Sequence, residues 1–195
     1  MRIGLSLIAA ATLIAFPVAA ADWQQVVFPD QQFVIESPVP LAKGSGNYRS
    51  VVVGAIPTVT YTGELDKIRY RVTIIDISKQ QAEPQNLFEE MESIVETQGK
   101  VLENDSQRID NGKLARFGRE LLIQAKDGSL RRICLMYANG RLYQAEGTVL
   151  PGGDTQSILP ERFAGSILFD LDLKAREERS SNPDNFRADP AIGRN

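Results

Sequence analysis

Between residues 68 and 78 apolar and polar positions alternate. Ile68, Tyr70, Val72 and Ile74 interleave with Arg69, Arg71, Thr73 and Ile75. A period of two predicts a strand buried more deeply on one face than the other. Shorter apolar runs at 25–28, 33–36, 48–54 and 59–63 predict further strands. The period changes at 84–98, where Leu87, Phe88, Met91, Ile94 and Val95 fall on one helical stripe. Pro84 suits the first turn, Glu89 and Glu90 lie toward the positive end of the helix, and Gly99 suits the position after the C-cap. Burying those five side chains contributes about 8–15 kcal/mol before chain entropy is set against it, which predicts a helix packed on a sheet.

Three turn signals follow: Asn111-Gly112, Asp127-Gly128 and Asn139-Gly140. Each supplies residues that tolerate positive φ, as two-residue hairpin turns require. They predict a four-stranded antiparallel meander with strands at 100–110, 113–125, 129–138 and 141–149, closed by Pro151-Gly152-Gly153. A second helix is expected at about 155–168, anchored by Ile158, Phe163 and Ile167, with Pro160 able to delay its start. Residues 169–171 read as a short returning strand. From Lys174 the apolar pattern stops, and 174–195 is expected to be a disordered tail.

The N-terminus predicts an address. Arg2 precedes an uncharged run from Leu5 to Phe16, then Pro17, the small residues Ala19-Ala20-Ala21, and Asp22. That is the layout of a secretory signal cut after Ala21, and the apolar run is shorter than the ~20 residues of a spanning helix. The expectation is a periplasmic or secreted protein whose residues 22–173 form a single α+β domain, with no integral membrane segment once the signal is gone.

Composition narrows the chemistry. The chain of 195 residues has no histidine and one cysteine, Cys134. No Ser-His-Asp triad, Cys-His pair, His-ligated metal or internal disulfide can be built from it. Aromatic residues make up 7%, and 22 Lys+Arg stand against 25 Asp+Glu, which argues against nucleic acid as a partner. The charge is uneven, however: residues 108–141 hold eight Lys/Arg against three Asp/Glu, a basic stretch able to steer an anionic ligand or an acidic partner. No cofactor is expected.

With two-residue turns throughout the meander, Leu121 falls opposite Cys134. One face then collects Phe117, Leu121, Ile123, Leu130, Cys134, Met136, Ala138, Tyr143, Ala145 and Val149 as the core, with Cys134 an inert buried thiol. The other face mixes charge, amide and aliphatic groups: Leu122, Gln124, Ile133, Leu135 and Leu142, together with Arg116, Glu120, Arg131, Tyr137, Gln144 and Glu146. Those last six are the candidate binding residues. The same pattern also describes a solvated face with cross-strand ion pairs. Glu120 and Glu146 lie ~12 Å apart on this reading, against about 5–9.5 Å for paired glycosidase carboxylates, so a histidine-free hydrolase is the weakest of the expected functions.

Three stretches resemble the PsbP-like family, which includes the Mog proteins and bacterial exported members. They are Phe33-Val34-Ile35-Glu36-Ser37-Pro38, the meander segment Gly118-Arg119-Glu120 … Arg131 … Gly140-Arg141-Leu142-Tyr143, and Phe163-Ala164-Gly165-Ser166-Ile167. The resemblance implies an α+β, α/β/α sandwich with helices packed on an antiparallel sheet. These are packing and turn residues, so it implies a fold rather than a function. The expected role is a non-enzymatic accessory or binding protein that docks a protein or envelope component. The alternative is a small-molecule or lipid carrier with its pocket between the meander and the 84–98 helix.

Overall fold

A computed structural model describes residues 22–110 and 115–169, with the backbone alone for 107–110 and 115–117. The expected signal segment, the tail at 174–195 and the Asn111-Gly112 turn lie outside the described residues. The strands are β1 (Gln24–Phe28), β2 (Phe33–Ser37), β3 (Ala42–Ser50), β4 (Gly54–Leu65) and β5 (Ile68–Asp76). Helix α1 (Pro84–Glu96) leads to the meander β6 (Gly99–Asp110), β7 (Ala115–Ala125), β8 (Leu130–Ala138) and β9 (Arg141–Val149). Helix α2 (Leu159–Gly165) and the short β10 (Leu168–Phe169) close the described chain.

Seven strands form one antiparallel sheet in the order β3-β4-β5-β9-β8-β7-β6, and β1-β2-β10 form a second, small sheet. The meander appears as expected, and β5 joins it by pairing with β9. The fold is α+β. One face of the large sheet carries α1, through Leu87, Phe88, Met91 and Val95 against Ile75, Leu121, Ile123, Ile133, Leu135 and Leu142. The opposite face carries α2 and the small sheet together, where Phe33, Ile35, Phe163 and Phe169 pack on Tyr70, Val72, Tyr143 and Ala145. Both faces are therefore covered over much of their area, which explains why the strands hold apolar residues at successive positions.

Several boundaries move for physical reasons. Residues 51–53 are a hairpin loop rather than strand, and β3 instead occupies the glycine- and serine-rich run before it, an edge position that asks for no apolar side chains. Its loop is pinned by Glu90 of α1, which accepts from the Ser50 hydroxyl at 2.6 Å and from the Val51 N–H at 2.5 Å. Pro160 delays α2 to Leu159, and Ile158, expected as an anchor, is 73% exposed, while Phe163 and Ile167 are buried as expected. Ile94 of the α1 stripe is also partly exposed.

The main correction is one of register. Asn139-Gly140 is a two-residue turn with both φ angles positive, as predicted. At Asp127-Gly128 only Gly128 is positive, at φ 87°, and Gly128 N–H donates to Ala125 O while Ala125 N–H donates to Ser129 O. That is a three-residue loop ending in a left-handed glycine. It places Glu120, not Leu121, opposite Cys134. One residue of slip turns every side chain of β7 to the other face relative to the prediction. Leu121 and Ile123 thus pack beneath α1, while Cys134, Met136, Ala138, Tyr143 and Ala145 form the opposite core as expected.

Candidate functional site

The six candidate residues do not share one surface. Glu120 lies on the α2 side of the large sheet, whereas Arg131, Tyr137, Gln144 and Glu146 lie on the α1 side. The side chain of Arg116 is outside the described residues. The expected open mixed face is instead half covered: α1 packs on Ile133, Leu135 and Leu142, and Tyr137 packs at the margin of that cluster. Glu120 and Glu146 are on opposite faces, so they cannot act as a carboxylate pair.

Arg131, Gln144 and Glu146 do meet, in a buried polar network. Glu146 is 3% exposed and accepts from Arg131 Nε and Nη2 at 2.9 and 2.8 Å, from Arg71 Nη2 at 2.9 Å, from Gln144 Nε2 at 2.9 Å and from Thr148 Oγ1 at 2.7 Å. Burial pushes the carboxyl up, but the Arg131 hydrogen bonds and the charges of Arg71 and Arg131 outweigh it and pull Glu146 down to about 2. A carboxylate so held is a structural anion, with no proton to lend at neutral pH. Arg131 also donates through Nη1 to Gln98, just past α1, tying the helix end to the sheet. Arg71 was not among the expected site residues. The β5 alternation put it on the polar side, but its pairing with Glu146 depends on the β5–β9 contact, which joins distant parts of the chain.

Among the described residues, two open spaces bear on the expected functions. Between α1 and the sheet, where the carrier reading expects a pocket, there is about 180 Å³, lined by Tyr48, Thr58, Thr73, Ile94, Gln98 and Gln144 among others. Sites for drug-sized ligands are about 300–1,000 Å³. A larger cleft of about 670 Å³ opens on the other face, bounded by α2, the small sheet, and β7–β8. Its position follows from the cover: α2 packs over β9, β8 and β5, and the outer strands run on beyond it.

The cleft combines an apolar floor with a charged rim. Cys134, Ala164 and Leu168 are on its walls and the exposed Ile158 lies along its edge. Arg162 donates to Glu36 at 2.9 and 3.1 Å, and its guanidinium stacks 4.3 Å above Trp23. Arg132 bridges Glu103 and, at 3.7 Å, Glu161. Glu120 completes the wall beside Cys134. The thiol is pushed up to about 12 by burial and by the Glu120 charge, so it is neither a nucleophile nor a ready thiolate ligand. Among the described residues no group of three His, Cys, Asp or Glu converges on a possible metal position, and no helix is long and apolar enough to cross a membrane. Of the expected site residues whose side chains are described, the cleft includes only Glu120. Glu36, Arg132, Ile158, Glu161 and Arg162 were missed, since β2, β8 and α2 meet there only through tertiary packing.

No family model matches this chain, and no curated protein matches it. Among solved structures it is similar to cyanobacterial PsbP from Synechocystis sp. PCC 6803, with 14% identity and a TM-score of 0.49, over 80% of this chain and 96% of that one. It is also similar to a Pseudomonas aeruginosa protein of unknown function, PA94, with 11% identity and a TM-score of 0.32, over 88% of this chain and 99% of that one.

Proposed function

We propose that this chain is an exported, non-enzymatic accessory protein that docks a protein or envelope component in the cleft between α2 and β7–β8. The observation that supports this reading is the cleft itself: about 670 Å³, with an apolar floor, ion pairs along its rim and the isoleucine Ile158 standing 73% exposed at its edge. A large exposed apolar side chain beside a concave, partly apolar surface is the arrangement of an interface anchor. The charges nearby are already paired, which suits recognition rather than proton transfer. Export rests on the sequence of residues 1–22.

A photo-reactive residue in place of Ile158, in the full-length protein expressed in its own cells, tests the reading. The expected result is a discrete cross-linked species in the envelope fraction, formed by a protein whose first residue is Asp22. The same reporter at Lys43, on the far sheet edge, should give none. Equal cross-linking from both positions, or none from Ile158, would dismiss the cleft as the docking site.

A further inference from the structure

On the α1 side of the large sheet, beyond the end of the helix, a polar patch is built on β4, β5 and β9. The register sets it out in rows. Thr62, Arg71 and Glu146 lie side by side across the three strands; Thr60, Thr73 and Gln144 form the next row on the same face. The row on the other side is Glu64, Arg69 and Thr148, in which Arg69 is paired with Glu64 at 3.2 Å. Thr60, Thr62, Thr73 and Gln144 are half-buried, so the patch is reachable from solvent.

Its hydrogen bonding does not balance. A carboxylate offers about four lone-pair positions, and Glu146 already accepts five hydrogen bonds from four side chains. It is saturated. Arg71 carries five N–H donors, and its hydrogen bond to Glu146 uses one of them. Its Nε is buried without a hydrogen-bond partner, and its side chain remains 36% exposed. The charges show the same deficit, since two guanidiniums, those of Arg71 and Arg131, share one carboxylate. Apart from the saturated Glu146, the neighbours of Arg71 in its own row and in the row of Thr73 are hydroxyls and an amide, none of which supplies a negative charge, and Glu64 in the third row is taken up by Arg69.

We propose that this patch is an oxyanion-binding site, in which the outward edge of Arg71 and the hydroxyls of Thr62 and Thr73 receive a carboxylate, phosphate or sulfate group. The fork of a guanidinium matches two oxygens of such a group, and a charge-assisted hydrogen bond to a half-buried arginine is stronger than a neutral one. Arg131 and Glu146 hold Arg71 in place from behind, so the site is positioned before a ligand arrives. This site is on the opposite face from the cleft and stands or falls independently of the docking reading.

Amide NMR of the mature protein, titrated separately with sodium phosphate and sodium acetate against sodium chloride at matched ionic strength, tests it. The amides of Thr62, Thr73 and Gln144 should follow a saturating curve with at least one of the two oxyanions and not with chloride. Saturation by phosphate alone assigns a tetrahedral ligand, and by acetate a planar one. Arg71→Gln leaves Glu146 paired with Arg131 and should weaken binding by about tenfold or more, the worth of one charged hydrogen bond. Arg71→Lys keeps the charge but loses the fork, and should weaken it less; it serves if the glutamine variant is poorly folded. Linear responses to both oxyanions, or a saturating curve unchanged in both variants, overturn the assignment.

Discussion

Glu146 connects the sheet, the end of α1 and the arginine patch through a single carboxylate. Its folded-state pKa of about 2 lies below the unfolded value of about 4.5, so the unfolded chain takes up the proton first on acidification. The stabilisation it provides is complete above about pH 4.5 and is lost as the pH falls toward 2. Replacing it should remove this dependence and leave two guanidiniums without their partner. Glu146→Gln is expected to cost about 3–5 kcal/mol at neutral pH and to flatten the stability profile between pH 4.5 and 2. Urea denaturation at a series of pH values checks both. That Arg131 and Glu146 share a face was legible in the sequence because Asn139-Gly140 forms the turn its residue types predict. The place of Glu120 was not, because Asp-Gly is compatible with both a two- and a three-residue loop, and only the hydrogen bonds of Ala125 decide between them.

At the scale of elements, two glycines show different reasons for lacking a side chain. Gly128 has φ 87° with nothing within 4 Å of where a Cβ would stand, so its role is conformational. Gly147 on β9 is crowded instead: a Cβ there would lie 2.4 Å from Cα of Pro160 and 2.5 Å from its carbonyl oxygen. It lets α2 come down onto the sheet and so sets the height of one cleft wall. Gly128→Ala should cost about 1–2 kcal/mol, as for a non-glycine residue forced into the left-handed region, with cleft binding intact. Gly147→Ala should cost about 1–3 kcal/mol and also disturb α2, seen as shifted amide resonances at Phe163 and Ser166. Periodicity and turn chemistry made α1, β5 and the four meander strands legible to within a few residues. It missed the start of β3, because Ala42-Lys43-Gly44-Ser45-Gly46-Asn47 has no apolar pattern and is held as a strand only by its partner β4. The two-residue turn at Asp66-Lys67 was missed for a related reason: both φ angles are positive without a glycine, so the residue types give no signal.

For the whole molecule, the consequence of covering both faces is that open surface is left where the cover ends. An antiparallel sheet with one layer of helix on one side and a mixed helix-and-sheet layer on the other leaves two such margins: the cleft beyond α2 and the arginine patch beyond α1. Sequence reasoning placed the candidate site on the meander because it read one meander face as core and left the other, mixed face uncovered. The second covering layer is assembled from β1, β2, α2 and β10, segments more than a hundred residues apart, and no local pattern announces their meeting. On the proposed function, the cleft holds a partner. Native mass spectrometry of the full-length gene product, purified gently from its own cells beside the Ile158→Asp, Arg132→Glu variant, puts this to the test. An added protein or envelope component is expected on the wild type and not on the variant, with the melting temperatures of the two alike. A bare wild-type monomer, or the same added mass on both proteins, would contradict it.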